Sequence, residues 1–198
     1  MQSEDEYPFR RSMSLSDWTF VLGVPDSERG FEHASAVGQY CLGYADWNDY
    51  ENRFLSHFRK TILPLEQVGL QIVREATVKQ FGRQLTETRG VILFSHCDYD
   101  KNEIEFSDGM QPYTRIMKLI RPDFCGIIDV SVCAPKGIYR LIKARAPGCG
   151  VRMTEVKTWP AMWFRFTAYL LTEFAVKDCS YAQAILTASA LFRPTRDS

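Results

Sequence analysis

The chain carries 198 residues, 45% hydrophobic and 13% aromatic, and its 24 basic and 24 acidic side chains leave a formal net charge of zero. That composition fits one globular domain with its own core and excludes wholesale disorder. No field of one sign is available to hold nucleic acid by direct contact, and no apolar run approaches the roughly 18–20 residues that span a bilayer.

The opening stretch "MQSEDEYPFRRSMSLS" is acidic, then basic, then polar, and lacks the apolar segment of a signal peptide. Residues 1–14 are therefore expected to be a mobile leader, and residues 15–198 a single domain. Six scattered cysteines, none in a C-x-x-C pair, point to reduced thiols and a cytosolic setting. Residues 15–24 read as a first strand closed by Pro25. The weakly patterned stretch "FEHASAVGQYCLGYADW" suits neither period. From 47 to 83 the apolar spacing is helical, with Tyr50, Phe54, Phe58, then Leu65, Val68, Ile72 and Val73, broken at Pro64. This predicts two helices, the second ending near Gly82.

Residues 90–96 read as a buried strand, "NEIEFSDG" as a hairpin arm, and "QPYTRIMKLIR" as a short amphipathic helix. A second buried strand, "FCGIIDVSVC", precedes a helix over "PKGIYRLIKARAPG" and an alternating strand in "GVRMTEVKT". Two further helices follow, the last opened by Ser180 as N-cap. Alternating strands and helices imply an α/β fold, a mainly parallel sheet with helices on both faces.

In such a sheet reactive groups gather at the carboxyl ends of the strands. His96 ends one apolar run and Cys133 another, 37 positions apart, with one hairpin and one crossover helix between them. A crossover of that length returns the chain to a parallel strand, which brings both side chains to one sheet edge. Imidazole can act as base or cationic neighbour to a thiol, so the pair is a candidate nucleophile and base. Of the other histidines, His57 lies on an amphipathic helix and His33 in the unassigned stretch. Asp129, Ser131 and Cys133 share parity along their strand and so share a face. The cluster "HCDYD" lacks the paired spacing of a structural zinc site. "APGCGV" follows a helix and precedes a strand, the reverse of a phosphate-binding loop. Lys143, Arg145 and Arg152 form a small basic cluster of the kind that is most often solvated charge. Trp159, Trp163, Phe164, Phe166 and Tyr169 surround one helix, so part of that surface is a candidate for contact with a partner chain.

Residues 88–192 carry a set of weak motifs in order: "VILFSHC", "NEIEFSDGM", "GIIDVSVCAP", a strand running into Trp-Pro and "FTAYLL", and "SYAQAILTAS". Together they resemble the caspase-like cysteine peptidases, most closely the bacterial CHAT domains. The resemblance implies a three-layer caspase-like sandwich and a cytoplasmic endopeptidase working through a Cys-His dyad without cofactor or metal. Cys133 would be the nucleophile, His96 would move protons, and the backbone N–H groups of Cys97 and Cys133 would form the oxyanion hole. Asp129, Ser131 and Asp98 would be candidates to line the substrate pocket, Asp129 favouring a basic residue before the scissile bond. Relatives commonly dimerise or answer to a regulatory protein, often in bacterial defence against viruses, so a protein substrate and an activating partner or homodimer are expected. One position departs from the family: Cys97 stands where the relatives have glycine. That departure keeps a second expectation open, a weak or inactive caspase-like module that acts by binding partners.

Overall fold

The structure is a computed structural model, and its described residues are 8–36, 43–132, 135, 137–154 and 159–192. In chain order the elements are β1 (Ser12–Met13), β2 (Trp18–Leu22), α1 (Glu28–Ala36), α2 (Trp47–Tyr50), α3 (Ser56–Thr61), β3 (Gln71–Val73), α4 (Val78–Glu87) and β4 (Gly90–Phe94). There follow β5 (Cys97–Asp98), β6 (Glu103–Phe106), β7 (Gly109–Pro112), α5 (Tyr113–Leu119), β8 (Ile127–Ser131), α6 (Ile138–Arg145), β9 (Gly150–Met153), α7 (Pro160–Val176), β10 (Cys179–Ser180) and α8 (Tyr181–Leu191).

Five strands form an all-parallel sheet in the order β3–β2–β4–β8–β9. Every residue of β2, β4 and β8 is buried, as central strands covered on both faces must be. Alternation then divides their side chains. Phe20, Leu22, Ile92 and Phe94 enter one cluster with Phe54, Phe58, Phe164, Phe174 and Ala184, from the α2–α3 segment, α7 and α8. Val21, Val91, Leu93, Ile128 and Val130 enter the other with Phe81, Ile116, Ile138 and Ile142, from α4, α5 and α6. The result is the three-layer α/β sandwich that the element order implied.

Two sequence expectations need correction. Residues 8–14 are not a free leader: Pro8 is buried, Phe9 packs on Tyr181 at 5.6 Å, and β1 pairs antiparallel with β10. Residues 1–7 lie outside the described residues. The helix expected to end near Gly82 is also split. A 3-10 turn over Leu63–Val68 stops at Gly69, whose φ of 111° suits glycine. Ile72 and Val73 then pair with β2 as an edge strand. Their β-branched side chains fit a sheet, and pairing with a long central strand overrode a helical spacing that had arisen by coincidence. The true helix α4 starts at Val78, behind a Thr77–Gln80 capping box. Ser180 caps α8 in the same way, as its position before an apolar run predicted.

Candidate active site

The carboxyl edge of the sheet is built around the exit of β4. Phe94 is anchored by stacking on Phe164 at 4.3 Å between ring centroids, and its carbonyl accepts the Gly23 amide at 2.9 Å. The chain then leaves the sheet. The Ser95 hydroxyl donates to the Glu105 carbonyl at 2.6 Å, and the Glu105 amide donates to the His96 carbonyl at 3.0 Å. His96 is half-buried, with its backbone fixed between the parallel sheet and the β5–β6–β7 hairpin sheet. The end of β2 presses so closely here that a Cβ on Gly23 would lie 2.7 Å from the Glu105 carbonyl oxygen. Only glycine admits that approach.

Cys97 opens β5 opposite Ile104. Its side chain is 3% exposed and packs in the cluster on the α4–α6 face, with Sγ 3.0 Å from the Tyr113 hydroxyl. Burial, reinforced by the contact with Cys97, pushes the Tyr113 hydroxyl above its ordinary range. Among the described residues the non-glycine positions with left-handed backbone are Glu75 and Asn102. Cys97 is not one of them: it lies in a strand, on extended backbone that any residue adopts.

Along β8 the shared parity of Asp129 and Ser131 holds, but what it faces is closed. Asp129 is fully buried; Arg152 Nη1 reaches both carboxylate oxygens at 2.8 and 2.7 Å, and the Tyr181 hydroxyl donates at 2.5 Å. Ser131, 1% exposed, donates to the same carboxylate at 3.0 Å. The Arg152 guanidinium in turn lies over Trp163 at 4.6 Å and Phe166 at 5.1 Å. Burial is the largest single influence and opposes its charge, but Asp129 and Tyr181 together outweigh it and the guanidinium is held above its ordinary range. Tyr181 is pushed well up, chiefly by burial and then by Asp129. Asp129 and Ser131 therefore form a core network joining β8, β9 and α8, and do not line an open substrate pocket. The basic cluster is likewise not loose solvated charge. Besides Arg152, Lys143 Nζ holds the Pro147 and Cys149 carbonyls and Arg145 Nε the Ile120 carbonyl.

Asp98 shapes the β5–β6 turn. Its carboxylate accepts the Asp100 and Lys101 amides at 3.2 and 3.1 Å and pairs with Lys101 Nζ at 3.2 Å. The Lys101 amide, more than any other partner, holds that carboxyl below its ordinary range. Among the described residues no group of three or more His, Cys, Asp or Glu is arranged to hold a metal ion. Cys133, with Ala134 and Lys136, lies outside the described residues. The strand leading to it is described, however, and it runs parallel to β4 with Phe94 opposite Ser131.

The same edge holds a cavity of about 240 Å³ that sequence reasoning missed, between the end of β2, the start of α1 and β6. Glu105 and Glu75 line it, with Ser27, Arg29, His33 and Ser107. Glu105 is 1% exposed. The pattern "EIEF" turns Ile104 and Phe106 into the core and Glu105 to the opposite face, and nothing local says that another strand end and a helix cover that face. No helix among the described residues is long and apolar enough to cross a membrane. No family model matches the chain, and no curated protein matches it.

Proposed function

We propose that the protein is a cysteine endopeptidase of the caspase-like type, with Cys133 as nucleophile and His96 as its acid–base partner. One observation carries the reading: β4 and β8 are neighbouring parallel strands, Phe94 is opposite Ser131, and His96 and Cys133 each follow two positions later in the sequence. His96 would take the thiol proton as Cys133 sulfur attacks the scissile carbonyl. It would return that proton to the leaving amine, and water would then hydrolyse the thioester. The Cys97 and Cys133 N–H groups would stabilise the oxyanion. The unstrained backbone at Cys97 supports this role, because the missing glycine removes no conformation the site uses.

The test is a panel of peptidyl electrophiles with basic, acidic and apolar terminal residues, followed by mass spectrometry of the labelled thiol. Labelling at Cys133 that is lost in His96→Ala is the expected result. Labelling confined to other cysteines, or Cys133 labelling indifferent to His96→Ala, would sink the dyad. A second reading, a partner-binding module without turnover, draws on the exposed side chains of Trp159, Val176, Leu186 and Leu191 in and beside α7 and α8. Under it no electrophile labels Cys133, with or without a partner protein. A regulatory partner is compatible with both readings.

A further inference from the structure

We propose that a second cavity, at the amino edge of the sheet and so at the opposite end from His96, binds a small organic carboxylate with an apolar body, its acid group on Arg11. Nothing in this rests on the peptidase reading. The cavity measures about 190 Å³ and lies at the starts of β4 and β8, where the two core clusters meet. Its floor is apolar and buried: Pro8 and Met13 from the N-terminal segment, Leu85 near the end of α4, and Phe124 and Ile127 leading into β8. One wall is fixed by the Arg89 backbone, whose amide donates to the Asp17 carbonyl at 3.2 Å and whose carbonyl accepts the Ile127 amide at 2.8 Å. The other wall is held by the pairing of β1 with β10 and by Phe9 on Tyr181. The volume is below the roughly 300–1,000 Å³ of pockets for drug-sized ligands, so the occupant is small.

Charge selects the ligand. Arg11, Arg89 and Arg121 line the cavity against one carboxylate, Asp123. That carboxylate is taken by both arms of Arg121, with Nε at 3.0 Å. Arg89 reaches Asp17 only at 3.5 Å. Arg11 is half-buried, donates from Nη1 to the Cys125 sulfur at 3.7 Å, and has no carboxylate partner among the described residues. Sulfur is a weak acceptor, so most of the donor capacity of this guanidinium is unspent. An uncompensated guanidinium beside an apolar floor favours a carboxylate, whose two oxygens match its fork. The carbonyls near the end of α4 do not oppose an anion, because the Thr86 and Thr88 hydroxyls donate to those of Arg83 and Gln84. Phosphate fits less well: its sites draw on backbone amides, and those of Arg89 and Ile127 are already bonded to carbonyls. A bound acid ties the N-terminal segment to the two strands whose far ends precede His96 and Cys133.

Cys125 is exposed and lines the cavity, so its alkylation reports occupancy. The full chain is treated with iodoacetamide, and the rate at Cys125 is followed by mass spectrometry at rising concentrations of phenylacetate. Phenylacetamide, phenethylamine and inorganic phosphate are the controls. Saturable protection by phenylacetate alone is expected. The concentration giving half protection should rise roughly 10-fold in Arg11→Gln, as loss of a charge-assisted hydrogen bond predicts, and by less in Arg11→Lys. Reading that concentration rather than the rate separates binding from the effect of Arg11 on the sulfur it touches. Thr86→Trp, at an exposed position lining the cavity, should fill it and abolish protection. No saturable protection by phenylacetate, equal protection by its amide or amine analogue, or protection unchanged in either Arg11→Gln or Thr86→Trp overturns the proposal. Equal protection by phosphate would reveal a general anion site and overturns it too. Protection by N-acetylglycylphenylalanine but not by phenylacetate would make the occupant a chain terminus, and the small free acid would be wrong.

Discussion

The two faces of the sheet are stabilised by different chemistry although the same three strands supply both. On one face Asp129 lies among aromatic rings and shares its carboxylate with Arg152 and Tyr181, tying β8 to β9 and α8. On the other, Val91, Leu93, Ile128 and Val130 meet a layer of aliphatic side chains with Phe81 and Phe106 among them, and a comparably buried polar contact is the uncharged pair of Cys97 and Tyr113. A buried ionic group is stable only while every partner is present, whereas a neutral pair tolerates the loss of one member at lower cost. The faces should therefore respond very differently to small changes at similar depth.

The largest effect is expected at Asp129. Asp129→Ala would leave the Arg152 guanidinium, whose side chain is 19% exposed, with its charge uncompensated beneath two aromatic rings. The expected loss is about 3–5 kcal/mol in urea denaturation. Replacing the pair together, as Asp129→Ala with Arg152→Met, should recover part of that loss. A loss below about 1 kcal/mol in the single variant would mean that the network adds nothing beyond packing.

Next comes Cys97, whose side chain is buried against Tyr113. Cys97→Gly removes that side chain, takes away the Tyr113 hydroxyl's sulfur partner and loosens a strand. Together these should cost about 2 kcal/mol, roughly half of it from the hydrogen bond and therefore also visible in Tyr113→Phe. Calorimetry should show a lower Tm for both variants. A Cys97→Gly variant more stable than the parent would instead reveal strain at this position, and the faces would no longer differ in the way argued.

How much of this could be read from the sequence depends on the range of the interaction involved. The strands over Gly90–Phe94 and Ile127–Ser131 are continuous β-branched runs between polar turns, and that signal is local. β3 was hidden because Gln71–Val73 is short and its apolar residues match a helical period; only its neighbour β2 decides the matter. Parity along β8 gave the face of Asp129 correctly. It could not supply Arg152, which is 23 positions away in a stretch that reads as surface charge. Glu105 is the reverse case: alternation along β6 turns it away from Ile104 and Phe106, and the end of β2 and α1 then cover the face it points to. Short-range periodicity thus fixes which way a side chain points, and long-range assembly decides whether anything lies there.

The smallest effect separates the faces by pH. Cys149, wholly buried on the Cys97 face, has its thiol pushed up to about 12, first by burial, with Lys143 pulling the other way. In the unfolded chain that thiol returns to its ordinary value near 9. Below that value the thiol is neutral in both states and its contribution to stability is fully present. As pH rises from about 9 toward 12 the unfolded thiol ionises while the folded one does not, so stability is lost across that window. Between pH 8 and 10 the parent should therefore lose about 1 kcal/mol more than Cys149→Ala does, because every other titration is common to the two proteins. Parallel stability curves for the two proteins would mean that Cys149 ionises as readily inside as outside, and that this face is not the dry, apolar layer its packing describes.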